Sequence, residues 1–555
     1  MKASTIFILS AVSLAACLPG PPEDGQLRLA TDEPEAPANP PSDPEGTLPM
    51  TPVPMDPGVD LVPDLATGRR TSQLQRLPNR VLVHALRDWF GAWGLTPPDI
   101  SEGLTAPEKV RGWENNGYAL TLDPRLFEAW FSAMESNAPD LVDIFESDCV
   151  DAGSIDCTKS ILARAGRLAY RRTLTAAELE AFAGRVSSAG EDLRLERAAA
   201  LTALLVSPPV LYRIELGEEG RSRPATSLEI ASRLAALIWA SVPDAALLDA
   251  AESGDLTDAE ERRRAVARML EDPRARDGMD WFFEQWLELP AIFRAEKNPE
   301  VYPAWQDDFP VAMYREMNAL IDHLVWSGEA GRYQDLFQTD LVLPTGGLDA
   351  LYGVSAGEVL VPAPNRQGLL TRGGFLAREG FEQTSPVLRG YWLREHLLCD
   401  LVPEAPANVD NVPPPIEPGA NTRERIAART SGSCAGCHVL MNDIGFAFEG
   451  FDADGQAREE DNGRPVDTSG QAVASDLRSF GGAAEMQDRL TSSRMGPTCF
   501  ARQLFRYGLG RVEATADRPD IDRLMSVFDA TDGDILAVFT AVSETEAFLT
   551  VEPAR

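Results

Sequence analysis

From Leu77 onward apolar residues recur one helical turn apart and almost nowhere at alternate positions, which restricts the chain to helix-on-helix packing. Leu77, Val81, His84, Leu86 and Phe90 mark a first helix that closes at Gly91. Thr175, three residues before Glu178, is a capping-box signal and opens the stripe Leu179, Phe182 and Val186. Thr257 stands in the same relation to Glu260 and leads to Val266, Met269 and Leu270, stopped by Pro273. Between them Leu228, Ala231, Leu234, Ala235 and Ile238 line one helix face that ends near Pro243. Trp239, Trp281 and Trp286 fall at helical spacing among apolar residues, as core side chains do, rather than as a sugar-binding platform. Strand candidates such as Val359 to Val361 are short, and no internal repeat points to a solenoid. The expected fold is mainly α-helical and multi-domain.

The N-terminus carries Lys2, an apolar run from Ile6 to Leu14, and Leu14-Ala15-Ala16-Cys17, which resembles a bacterial lipobox. On this reading residues 1–17 are a lipoprotein signal peptide ending at Cys17, whose diacylation anchors the mature chain to a membrane. An ordinary signal peptide with an incidental Cys17 is the alternative. Residues 18–66, crowded with Pro, Gly, Asp and Glu, read as a disordered tether. The implied location is the bacterial cell envelope, on the periplasmic or outer-surface face. A net charge of -35 repels a phosphate backbone and argues against nucleic-acid partners.

The most specific motif is Cys434-Ala435-Gly436-Cys437-His438, the C-x-x-C-H attachment signature of c-type haem. Two thiols at this spacing form thioethers to the haem vinyl groups, and the adjoining His ligates the iron. A thioredoxin-like dithiol needs a preceding strand, whereas Arg423 to Thr430 looks helical or irregular. A structural zinc site needs a second Cys/His pair, for which the 4 His residues supply no neighbour. A plain disulfide is the remaining alternative.

The pentad, with Met441-Asn-Asp-Ile-Gly-Phe446 and Phe448-Glu-Gly-Phe-Asp452, resembles a bacterial envelope family built from consecutive domains of unknown function and usually named for domain fifteen-ninety-two. Further motifs in family order are Arg76-Leu77-Pro-Asn-Arg80, Tyr170-Arg-Arg-Thr-Leu-Thr175, Leu211-Tyr-Arg213, Ser232-Arg-Leu234, Phe283-Glu-Gln-Trp286, Thr384-Ser-Pro-Val387 with Arg389-Gly390, and Tyr507-Gly-Leu-Gly-Arg511. The resemblance implies a helical cytochrome-c-like C-terminal region preceded by helical bundles. The family's usual Asp-Pro after the motif Met is Asn442-Asp443 here, which leaves the following turn open. Shifts in composition divide the body into residues 67–147, 148–220 with a disulfide loop, 221–350, 365–468 with the pentad, and 469–550.

With Cys17, Cys434 and Cys437 assigned, four cysteines remain and allow three pairings or four free thiols. Cys149 with Cys157 closes a short acidic loop, leaving Cys399 with Cys499. Met495, read as part of a loop from Arg494 to Thr498, is a candidate distal iron ligand, with loop packing as its alternative role and Met486 as a second choice; Met441 is too near His438 in sequence. Asp452, Asp454, Glu459, Glu460, Asp461 and Asp467 lack EF-hand spacing and read as a solvated acidic loop. His84, His323 and His396 lack a nucleophile partner, so no catalytic residue is assigned. The expected function is single-electron transfer through covalent haem c at Cys434, Cys437, His438 and Met495, with a redox partner protein. Any enzyme role would be that of a haem-dependent oxidoreductase subunit. The alternative is a non-redox cell-surface binding or structural protein whose pentad carries no haem.

Overall fold

Local capping chemistry sets several helix starts. The computed structural model describes residues 74–186, 193–327, 331–403, 414–416 and 418–553; Cys17, its apolar leader and the Pro-rich stretch 18–66 lie outside them. Thr175 with Glu178, Thr226 with Glu229 and Asn421 with Glu424 form complete capping boxes at the helices Ala176–Ala183, Ser227–Trp239 and Thr422–Arg429. The first helix runs Asn79–Ala92, one residue beyond the expected close at Gly91.

Two starts differ from the sequence reading. The helix Ala259–Glu271 is capped by Asp258, whose carboxylate accepts from the backbone N–H groups of Glu260 (2.9 Å) and Glu261 (3.0 Å). Thr257 instead closes a 3₁₀ turn, and Asp is the stronger cap. Met495 is not in a loop: it opens the helix Met495–Leu509. Gly496 and Pro497 suggested a loop, but a first-turn proline gives up only an N–H that has no intrahelical acceptor.

Among the described residues, strands are limited to short antiparallel pairs. Val361–Pro362 pairs with Leu341–Val342, and Arg223–Pro224 pairs with Thr550–Val551, which ties the C-terminal end into the middle of the chain. One continuous apolar core runs from Leu77 to Val551, with a smaller cluster around Ile292, Met313 and Leu348. In the main core Phe282 meets Trp113 (5.8 Å) and Tyr507 (5.6 Å), and Trp286 meets Phe500 at 5.2 Å, so early, middle and late segments share one interior. Cys149–Cys157 and Cys399–Cys499 are both bonded, with Cα separations of 5.6 and 5.2 Å. The second closes a loop of 100 residues that contains the pentad.

The pentad sits where two helices cross. We call Ala435–Phe446 the motif helix and Pro386–Leu397 the bracing helix. They meet backbone to backbone: a Cβ on Gly390 would overlap the carbonyl of Met441, and one on Gly445 would overlap the carbonyl of Pro386. Met441, Ile444 and Phe446 are buried by the crossing, whereas Ala435, Gly436 and Cys437 are exposed. Gly445→Ala is therefore expected to cost about 3 kcal/mol through overpacking, read as a lower guanidinium unfolding midpoint. Gly436→Ala, with nothing within 4 Å of the new methyl group, is expected to be neutral or to stabilise by up to ~1 kcal/mol.

Candidate functional site

The motif helix begins where a 3₁₀ turn, Gly432–Cys434, delivers Cys434 as its N-cap. Cys437 and His438 follow at three and four residues, so all three side chains share one helix face. Cys434 is half-buried and Cys437 exposed, and both remain free thiols while the other four cysteines of the described residues are bonded.

His438 is held by a directional chain of hydrogen bonds. The Thr430 hydroxyl donates its only proton to the carbonyl of Ile426 at 2.8 Å. It can then only accept from Asn442, whose Nδ2 donates to it at 2.9 Å. That fixes the amide so that Oδ1 faces His438, 3.1 Å from Nδ1. Nδ1 must carry the proton, and in the neutral ring Nε2 keeps its lone pair for a ligand. The donor set, two thiols and one imidazole held through Nδ1, therefore fits a c-type haem. Asn442 is the functional residue that the sequence reading missed as such, although its spacing of four from His438 placed it on the same helix face. Asp443, where the family pattern has Pro, lets the helix run on to Phe446; its Oδ2 accepts from the backbone N–H of Gln471 at 3.0 Å.

Buried cations fix the motif helix from below. Arg394, whose side chain is fully buried, donates from Nε to the carbonyl of Leu440 at 2.8 Å, from Nη1 to Asp400 at 2.9 Å, and from Nη2 to the carbonyl of Val473. Past the end of the helix, Glu449 accepts from the Thr384 hydroxyl (2.7 Å) and from Arg458 (2.9 Å), and faces Arg389 at 3.5 Å. Burial pushes the Glu449 carboxyl upward, against the pull of Arg389 and Arg458. Thr384, Arg389, Gly390 and Glu449 are the residues singled out as motifs, and the structure brings them together as the brace of the pentad.

Met495 stands at the start of another helix, half-buried against the main core, and Met486 is buried within that core. In the acidic stretch Asp452 accepts from the Tyr302 hydroxyl (2.9 Å) and pairs with Arg458 (3.1 Å), which also meets Asp461 at 3.4 Å, whereas Glu459, Glu460 and Asp467 are exposed. His396 is buried, with Nδ1 2.8 Å from the Trp286 carbonyl and its ring stacked on Trp392 at 4.8 Å. Burial pushes it down to about 4, so it is neutral at pH 7.

In succession the chain matches the families described as protein of unknown function (DUF1595) at residues 157–215, (DUF1592) at 225–354, (DUF1588) at 366–461 and (DUF1585) at 476–548. The chain belongs to the multi-domain family in which these four stand together. The pentad falls within the DUF1588 match. Neither a curated protein nor a solved structure matches the chain.

In the haem-free protein, nitrogen-detected NMR is expected to find His438 as the Nδ1–H tautomer, with Asn442→Ala shifting it toward Nε2–H. An Nε2–H ring in the unsubstituted protein would contradict the hydrogen-bond chain.

Proposed function

We propose that the protein is a lipid-anchored c-type cytochrome that passes single electrons in the bacterial envelope. The observation that carries this reading is the hydrogen-bond chain ending on His438, which leaves Nε2 free beside two unbridged thiols on one exposed helix face. Cys434 and Cys437 would form the two thioethers and His438 would hold the iron. Bound haem supplies a one-electron couple. Asn442 offers the ligating ring a neutral acceptor, which donates less electron density to the imidazole than a carboxylate at that position would.

Leu388 and Val439 are exposed apolar residues on the bracing and motif helices, and Val473 is exposed on the segment bonded to Arg394; all three suit a haem edge better than water. Met495 is proposed as the distal ligand, with Met486 as the second choice. Two bonded disulfides accord with an oxidising compartment. Among the described residues no helix is long and apolar enough to cross a membrane, so attachment is assigned to acylated Cys17. The acidic net charge of -35 favours a redox partner with a basic face.

Matured in a host with cytochrome c assembly machinery, the purified protein is expected to titrate as a reversible one-electron couple. Met495→Ala is expected to abolish the methionine-to-iron charge-transfer band and lower the potential. An unchanged spectrum would remove Met495 and retain His438, whereas a colourless protein would remove the electron-transfer reading. Separately, Cys17→Ser is expected to move the protein into the soluble fraction, and persistence of the variant in the membrane would remove the lipid anchor.

A further inference from the structure

A short hairpin, Gly470–Ala472 paired antiparallel with Arg478–Phe480, lies along the motif helix. At its base the Gln471 N–H donates to Asp443, and a Cβ on Gly470 would stand 2.7 Å from the Asp443 carbonyl oxygen. Beyond the first strand the carbonyls of Val473 and Ala474 accept from Arg394, the guanidinium that also donates to the Leu440 carbonyl. From Gly470 to Ala474 the hairpin therefore advances from Asp443 toward Leu440, the direction in which His438 and Cys437 lie. Its turn also reaches the helix that Met495 opens: Asp476 accepts from the backbone N–H groups of Arg494 (2.6 Å) and Met495 (3.4 Å).

Haem carries two propionate carboxylates, and a cation beside them offsets the repulsion of a chain whose net charge is -35. The arginines that brace the pentad are already committed. Arg389 faces Glu449 and donates to the Leu376 carbonyl, and Arg458 pairs with Glu449 at 2.9 Å and Asp452 at 3.1 Å. Arg394 is buried between Leu440, Asp400 and Val473, and Arg423 donates to the carbonyls of Asp467 and Ser469. Arg478 differs. It is exposed, and among the described residues its guanidinium has no hydrogen bond, ion pair or ring contact.

The hairpin also places this cation. Arg478 stands opposite Ala472 in the register, so it shares the face of Ala472 and Phe480, both of which are buried. Val473, apolar and exposed, adjoins Ala472. One end of the hairpin thus offers an apolar surface and an unpaired guanidinium, which match the ring and the carboxylates of a haem.

We infer that Arg478 binds a propionate carboxylate of the haem attached at Cys434 and Cys437, an assignment that rests on the haem reading and adds the hairpin as a second wall of the site. The guanidinium fork fits a carboxylate, and its charge favours the ionised form over the acid.

The test uses the full chain, matured with cytochrome c assembly machinery and supplied with haem that is isotope-labelled in its propionate carboxyl groups. Infrared titration then follows those carboxyl groups apart from every Asp and Glu. In Arg478→Asn the pH at which the labelled carboxylate turns into carboxylic acid is expected to rise by at least about one unit, as removal of an adjacent opposite charge requires. Arg478→Lys keeps the charge and is expected to titrate close to the unsubstituted protein. Arg478 is exposed, and Asn suits its left-handed backbone (φ 62°), so loss of the cation is separated from loss of the fold. Labelled carboxyl groups that titrate at the same pH in Arg478→Asn, or a Lys variant that shifts as far as the Asn variant, would overturn the inference and leave the haem reading standing. A chain that takes up no haem would remove both.

Discussion

The pentad is held in place by a helix crossing in which no side chain separates the two backbones. Gly390 lies against the Met441 carbonyl and Gly445 against that of Pro386, so the motif and bracing helices cannot slide or rotate on one another without collision. Around this contact Met441, Ile444 and Phe446 are buried. Guanidinium groups add to it: Arg394 spans the motif helix, Asp400 and the Val473 segment, and Arg389 spans the bracing helix, Glu449 and the Leu376 carbonyl. Buried ion pairs of this kind add little net stability over an apolar core, but they tolerate few alternative geometries. The position of the motif helix is thereby specified more tightly than hydrophobic packing alone would specify it.

The brace acts on the buried half of the motif helix and leaves the first turn open. Cys437 is exposed there, and Cys434 and His438 are half-buried. The Cys399–Cys499 bond adds a covalent clasp between the end of the bracing helix and the helix that Met495 opens. In the chain-entropy view, closing so long a loop restricts the unfolded chain by up to roughly 4.7 kcal/mol.

Helix positions were legible wherever cap and stripe agreed, as at Thr175 and Leu179, because both signals are local. Reading Thr257 as a cap failed by one residue because an adjacent Asp competed for the same N–H groups, and Met495 was misplaced because a first-turn proline resembles a loop. The pentad and the two disulfides were legible from cysteine spacing and arithmetic. The polar partners were not. Asn442 lay in plain view as a departure from a family pattern, but its role depends on Thr430, whose side chain reaches it only through the turn between two helices. Asn115 donates to the Tyr507 carbonyl across 392 positions, a juxtaposition that no local periodicity encodes.

The most direct test of the central claim is mass spectrometry of the peptide spanning Ser431 to Val439, released from protein matured with cytochrome c assembly machinery. A peptide carrying one haem through thioethers at both Cys434 and Cys437 is the predicted result. The same peptide recovered with two free thiols, or with Cys434 and Cys437 joined to each other, would contradict it.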